Sequence, residues 1–179
     1  MPTAPGSSTL SSITGAWVLD LSRSDTFEGY LRCLGAPEVA VQAQIAQERV
    51  YQSRNVISLD ESRLVIHKDT AVNQHTERYL LDQEQVAPVQ SGRGVNRATA
   101  SLAEDGEKLD GYVLATTNCD VNGRENAETV EARQLLEGGL EHVQQIFVRN
   151  IVTGGQFTTT RTWTRVPMTE DDRRLCASN

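Results

Sequence analysis

Aromatic side chains are scarce in this chain of 179 residues: three Phe, four Tyr and two Trp, 5% of the total. A core must therefore be assembled from Val, Leu, Ile and Ala. The apolar fraction is also low, 38%, and no run approaches the ~18 consecutive apolar residues of a membrane-spanning helix. Stable membrane insertion is not expected. Met1–Ser12 have neither a basic start nor an apolar stretch, so no signal or transit peptide is expected there. They read as a disordered leader of Ser, Thr, Pro and Gly.

Cysteine is equally sparse. Cys33, Cys119 and Cys176 are odd in number, far apart and without a CxxC pair, which excludes a disulfide framework and points to a reducing compartment, the cytoplasm. The three histidines, His67, His75 and His142, have no metal-ligand spacing. There is no HExxH, no Walker-type loop and no G-x-S-x-G. Gly92-Arg93-Gly94-Val95-Asn96-Arg97 lacks the third glycine of a dinucleotide loop. No enzyme activity, metal or cofactor is therefore expected. Seventeen Lys and Arg stand against 24 Asp and Glu, a net charge of −7, which argues against nucleic acid and anionic membrane as partners.

What the chain does contain is regular punctuation. Asp105-Gly106, Asn122-Gly123, Gly138-Gly139 and Gly154-Gly155 are hairpin-type dipeptides spaced 17, 16 and 16 residues apart. Each interval suits one strand and its turn, so about Val95 to Val166 reads as an antiparallel meander. Earlier strands are expected at Ala16–Leu21, Arg49–Leu59, Arg63–Lys68 and Thr76–Leu81, with Asp60-Glu61-Ser62 as a turn. One helical region interrupts them. Phe27, Tyr30, Leu31 and Leu34 follow i, i+3, i+4, i+7 spacing. Asp25 and Glu28 resemble a capping box, and Gly35 fits the stop. Pro37 then opens a second short helix to Gln47, with Val41 and Ile45 on one side. Helices between only the first two strands form a lid on a barrel or sandwich, not a parallel sheet.

Five segments, taken in order, carry a resemblance. They are Gly15-Ala16-Trp17; Phe27-Glu28-Gly29-Tyr30-Leu31-Arg32-Cys33-Leu34-Gly35; Leu81-Asp82-Gln83-Glu84; Ser101-Leu102-Ala103-Glu104-Asp105-Gly106; and Thr160-Arg161-Thr162-Trp163-Thr164-Arg165. Their order and spacing resemble the intracellular lipid-binding proteins, the fatty-acid-binding and cellular-retinoid-binding family of the calycin superfamily. Gly-x-Trp also opens secreted lipocalins, but those usually carry their helix near the C-terminus. The resemblance spans about Ile13 to Val166. It implies an all-β fold: a ten-stranded up-and-down antiparallel β-barrel with a helix–turn–helix lid between the first two strands. Residues 167–179 are left as a polar tail, in which Glu170-Asp171-Asp172-Arg173-Arg174 reads as solvated chain or a short helix.

In that family an Arg-x-Tyr pair on the last strand, with a second Arg from a nearby strand, holds a ligand carboxylate. An arginine fork suits that task in a low-dielectric interior. Alternation places Phe157, Thr159, Arg161, Trp163 and Arg165 on one side of the last strand and four threonines on the other, so Arg161 and Trp163 are expected inside. Trp163 replaces the tyrosine, leaving a donor that cannot accept. The second arginine's place falls on Ala132. Val130 and Ala132 form the apolar side of that strand, with Arg133 outward; a slip of one residue would bring Arg133 inside but would also bury Glu131. Gln134, His142 and Gln144 are further inward candidates that suit a hydroxyl or carbonyl as well as an acid.

Other roles stay open at this level. Arg165 reads as packing across Trp17 to close the base. Arg161 reads either as a ligand contact or as a buried pair with a Glu. Phe27 and Tyr30 read as lid or core. The function implied by the resemblance is non-covalent carriage of a small hydrophobic ligand, a fatty acid or related amphiphile, by a monomer. The alternative is a ligand-free structural or protein-interaction module on the same barrel.

Overall fold

The computed structural model describes residues 12–89, 93–103 and 109–177. Its elements are β1 (Gly15–Asp20), α1 (Glu28–Cys33), α2 (Glu38–Val50), β2 (Arg54–Leu59), β3 (Arg63–Asp69), β4 (Gln74–Leu80), β5 (Glu84–Pro88), β6 (Val95–Leu102), β7 (Gly111–Cys119), β8 (Glu125–Leu135), β9 (Glu141–Asn150), β10 (Gln156–Val166) and α3 (Glu170–Ala177). The glycine turns expected at 122–123, 138–139 and 154–155 join β7 to β8, β8 to β9 and β9 to β10. Gly123, Gly138 and Gly154 adopt φ of 75°, 90° and 76°, which glycine reaches without steric cost. Asp105-Gly106 lies outside the described residues, as do residues 1–11 of the expected leader.

Each strand pairs antiparallel with its sheet neighbours in the order β4-β3-β2-β1-β10-β9-β8-β7-β6-β5. The last strand returns beside the first, which nearly closes the sheet into the expected ten-stranded barrel. The edge strands β4 and β5 are consecutive in the chain, and a single bridge, Leu81 to Ala100, spans the seam beside them. One apolar cluster is built from β1, β2, β3, β6, β7 and β10, with Trp17, Ile57, Leu64, Ile66, Leu114, Tyr112 and Trp163 among its members.

The lid occupies its expected place between β1 and β2, with two differences. Helix α2 runs on to Val50, and β2 begins only at Arg54, so Arg49–Ser53 are not strand. The buried stripe Val41, Ile45, Glu48 explains this: its i, i+4, i+7 spacing carries the helix one turn further, overriding the local strand preference of Val50 and Tyr51. The expected capping box is absent as well. Phe27 occupies the N-cap without a side-chain bond, and Asp25 Oδ2 instead accepts from Thr160 N at 2.8 Å, pinning the lid's approach to β10.

The acidic–basic tail forms α3, which packs on β2. Arg54 donates from Nη1 and Nη2 to Asp172 at 2.8 and 2.6 Å, and Asp172 also accepts from Thr169 N at 2.6 Å. Asp172 is buried, and the Arg54 bond lowers its carboxyl from 3.8 to about 2, against the opposing effect of burial.

Candidate ligand-binding site

Strand β10 has the expected alternation. Thr159, Arg161 and Trp163 are buried at 0, 2 and 4% exposure. Arg165 closes the base: its guanidinium lies 4.2 Å over the Trp17 ring and donates to the carbonyls of Gly139, Thr14 and Ser12 at 2.6, 2.9 and 2.7 Å. Gly15 makes this possible, since a Cβ there would collide with Arg165 Nη1. Trp163 Nε1 donates to Gln144 Oε1 at 2.8 Å, and its ring stacks on His142 with 6.0 Å between centroids. His142 and Gln144 are both buried, facing Trp163 and Arg161 across the β9–β10 ladder.

Strand β8 reverses its expected register. Arg133 pairs with Gln144 and Glu131 with Ile146, so Glu131 and Arg133 point inward while Val130 and Ala132 point out. Gln134 pairs with Val143 and takes the outer face, in a cleft of ≈230 Å³ with Val113, Ala132, Val143 and Gln145. The inward expectation for Gln134 is thereby corrected. Residues opposite one another on antiparallel strands share a face, and in this register the odd positions of β8 meet the even positions of β9. Gln134 and Gln144 therefore cannot both be inside. The apolar look of Val130 and Ala132 misleads because the inward charges satisfy one another.

That satisfaction is nearly complete at Arg133. Its Nε donates to Glu131 Oε1 at 2.7 Å and its Nη1 to His142 Nε2 at 3.1 Å. Asn55 of β2, with its amide oriented to satisfy both ends, accepts from Nη1 and Nη2 at 3.1 and 3.0 Å. The guanidinium also lies 5.0 Å over the Trp163 ring. Tyr112 donates to Glu131 at 3.3 Å. Burial, aided by the Arg133 and Arg165 charges, pushes His142 from 6.5 down to about 2, so the imidazole is neutral and its Nε2 accepts.

Arg161 sits higher, beneath the lid. Its Nη2 forms an ion pair with Glu48 of α2, 5% exposed, and its guanidinium stacks 4.1 Å over the Phe27 ring. Phe27 in turn contacts Tyr30, with 5.4 Å between centroids. Burial lowers the Arg161 pKa while Glu48 opposes that shift. Two polar atoms here are buried with no hydrogen-bond partner in the protein, Arg161 Nε and Thr159 Oγ1. A third, His142 Nδ1, lies deeper.

A further charge pair stands across the barrel. Lys68 Nζ meets Glu77 at 2.9 Å, and His75 Nε2 lies 3.0 Å from the same carboxylate. Burial raises the Glu77 pKa, but the His75 hydrogen bond and the Lys68 charge outweigh it and bring the value to about 2. His75 shares the inner face with Lys68, whereas His67 faces outward and bonds Thr76 at 2.8 Å, so the two do not face each other. Between lid and base, Lys68, Arg133 and Arg161 are thus matched by Glu77, Glu131 and Glu48. These three pairs together contribute no net charge to the inner wall. Among the described residues no group of three or more His, Cys, Asp or Glu is placed to hold a metal ion.

The site therefore brings together Arg161, Trp163, Gln144, His142, Phe27 and Tyr30, and leaves out Gln134. As site residues, sequence reasoning omitted Glu48 and Asn55, set Glu131 and Arg133 outward, and named Thr159 only as sharing the side of Arg161 on the last strand. A signal existed for Glu48, which continues the Val41–Ile45 stripe.

No protein-family model matches the sequence, and no curated protein matches it at a significant score. Solved structures do match. The REP1-NXSQ fatty acid transporter superposes with a TM-score of 0.62 at 15% identity, covering 88% of this chain and 98% of that one. Echinococcus granulosus fatty-acid-binding protein 1 gives 0.60 at 13%, covering 86% and 97%. The Schistosoma mansoni fatty acid binding protein, in complex with arachidonic acid, gives 0.60 at 16%, covering 88% and 98%. Ten strands in meander order, a helical lid after the first strand and these superpositions together show that the chain has the barrel fold seen in these fatty-acid-binding proteins.

Proposed function

We propose that the protein is a non-covalent carrier of a small hydrophobic ligand, a fatty acid or related single-chain amphiphile held inside the barrel beneath α1 and α2. The observation that carries this reading is the pair of unsatisfied buried groups, Arg161 Nε and Thr159 Oγ1, on the inner wall under the lid. A buried donor left unmade costs about 1–3 kcal/mol, and a ligand head group would relieve that cost. Burial of the chain would supply affinity at roughly 0.8 kcal/mol per CH₂. We propose further that the carrier works in the cytoplasm and as a monomer; three free cysteines are compatible with a reducing compartment.

The test is a titration of the purified protein with C18 acid, alcohol and methyl ester, read by tryptophan emission, since Trp17 and Trp163 both lie in the barrel. Saturable one-to-one binding of at least one lipid is the expected result. Silence with all three overturns the carrier.

A second reading has its own observation. Arg133 spends its donors on Glu131, His142 and Asn55, as in a barrel filled by its own side chains. Such a barrel would act as a structural or protein-interaction module, and silence in the titration favours it.

A further inference from the structure

We infer that Glu48 is the specificity determinant of the barrel: it occupies the acid-binding position on Arg161, so the interior accepts an uncharged polar head group in preference to a carboxylate. The inference rests on the carrier reading and names the ligand class within it.

Three observations support it. First, the Arg161–Glu48 pair is buried on both sides, with side-chain exposure of 2 and 7%. An external carboxylate reaching Arg161 would have to expel Glu48 from a buried ion pair or sit beside a second negative charge, and both are costly in a low-dielectric site. Second, among the described residues the two other inward cations between lid and base, Arg133 and Lys68, are already paired. Arg133 is held by Glu131, His142 and Asn55, and Lys68 by Glu77. A bound carboxylate would therefore add uncompensated charge to a balanced wall. Third, what remains unsatisfied suits a neutral group. Arg161 Nε offers one N–H, and Thr159 Oγ1 can donate or accept. An alcohol, ester or amide oxygen can accept from either, and neither bond requires an ion pair to be displaced.

Glu48 also belongs to α2, along with the buried Val41 and Ile45. Its carboxylate therefore ties the lid to β10, and an uncharged ligand leaves that tie intact. An acid would either break it or crowd a second negative charge against it.

The experiment compares oleyl alcohol with oleate at pH 8, by tryptophan emission, in the full chain and in Glu48→Gln. The amide keeps the size of the side chain and an acceptor for Arg161 but removes the competing charge. The unaltered protein is expected to bind the alcohol more tightly. Glu48→Gln is expected to shift the acid-to-alcohol affinity ratio toward the acid by about tenfold or more, the size of one charged hydrogen bond. The ratio cancels the difference in water solubility between the two lipids. In Glu48→Gln/Arg161→Gln, which removes both charges together, the gain for the acid should vanish. Three results overturn the inference: oleate binding the unaltered protein as tightly as the alcohol, a ratio unmoved by Glu48→Gln, or a gain that persists without Arg161. Failure of both lipids to bind the unaltered protein also overturns the inference, and silence of the methyl ester as well overturns the carrier reading with it.

Discussion

Arg133 on β8 donates from Nη1 to Nε2 of His142 on β9 at 3.1 Å, and both side chains are buried. The contact fixes the imidazole as neutral, with its proton on Nδ1, because a protonated ring would set two cations against each other.

The first expectation concerns this histidine. Its folded pKa, about 2, lies below its ordinary 6.5. The unfolded chain therefore binds the proton first on acidification. The resulting stability is complete above pH 6.5 and declines as pH falls from there toward 2. Imidazole NMR shifts of His142 should stay constant from pH 8 to 5, and His142→Gln should flatten this part of the acid limb of a stability profile. A midpoint near 6.5 would refute the neutral assignment.

Removing one member of the β8 pair should cost more than removing both. Arg133→Met strands Glu131 in the interior and should destabilise by about 3–5 kcal/mol. Arg133→Met/Glu131→Gln should recover a large part of that loss. Urea unfolding of the two single variants and the double gives the coupling directly. Additive losses would contradict the pairing.

Gly15 and Arg165 form a third test. A Cβ at Gly15 would collide with a guanidinium held by three carbonyls. Gly15→Ala should lower stability by about 1–3 kcal/mol through overpacking. It should cost little more once Arg165→Ala is present. Thermal melts of the four proteins settle the point, and an undiminished second loss would rule it out.

The terminal helix supplies the fourth. Asp172 is depressed from 3.8 to about 2 by Arg54. Its contribution is present above pH 3.8 and is lost as pH falls through about 2. Hydrogen exchange should show α3 losing protection in that window, and Asp172→Asn should weaken its protection at neutral pH. Full protection in the variant would mean that the ion pair does not hold the helix.

Much of the architecture was legible because it depends on local chemistry. The glycine dipeptides at 122–123, 138–139 and 154–155 demand positive φ, which little else supplies, and they bound β7 through β10. Alternation along Phe157–Arg165 placed Arg161 and Trp163 correctly, because Thr158, Thr160, Thr162 and Thr164 fill every position of the other face. On β8 the same reasoning failed. Glu131 and Arg133 look like solvent residues and Val130 and Ala132 like core, yet the ladder to β9 puts the charges inside. Periodicity reports which face is apolar, and here the buried face is the charged one. The end of α2 was misplaced for a related reason: Glu48 continues a buried stripe but is not apolar.

The sequence by itself determined the order of strands, the place of the lid and the inward direction of Arg161 and Trp163, since turns, alternation and helical spacing act over a few residues. Only the tertiary structure decided who answers each buried charge. Glu48 meets Arg161 across 113 positions, and Asn55 meets Arg133 from a different strand. Such pairs are stable because closure of the barrel removes water from both partners at once, and no local pattern encodes that condition.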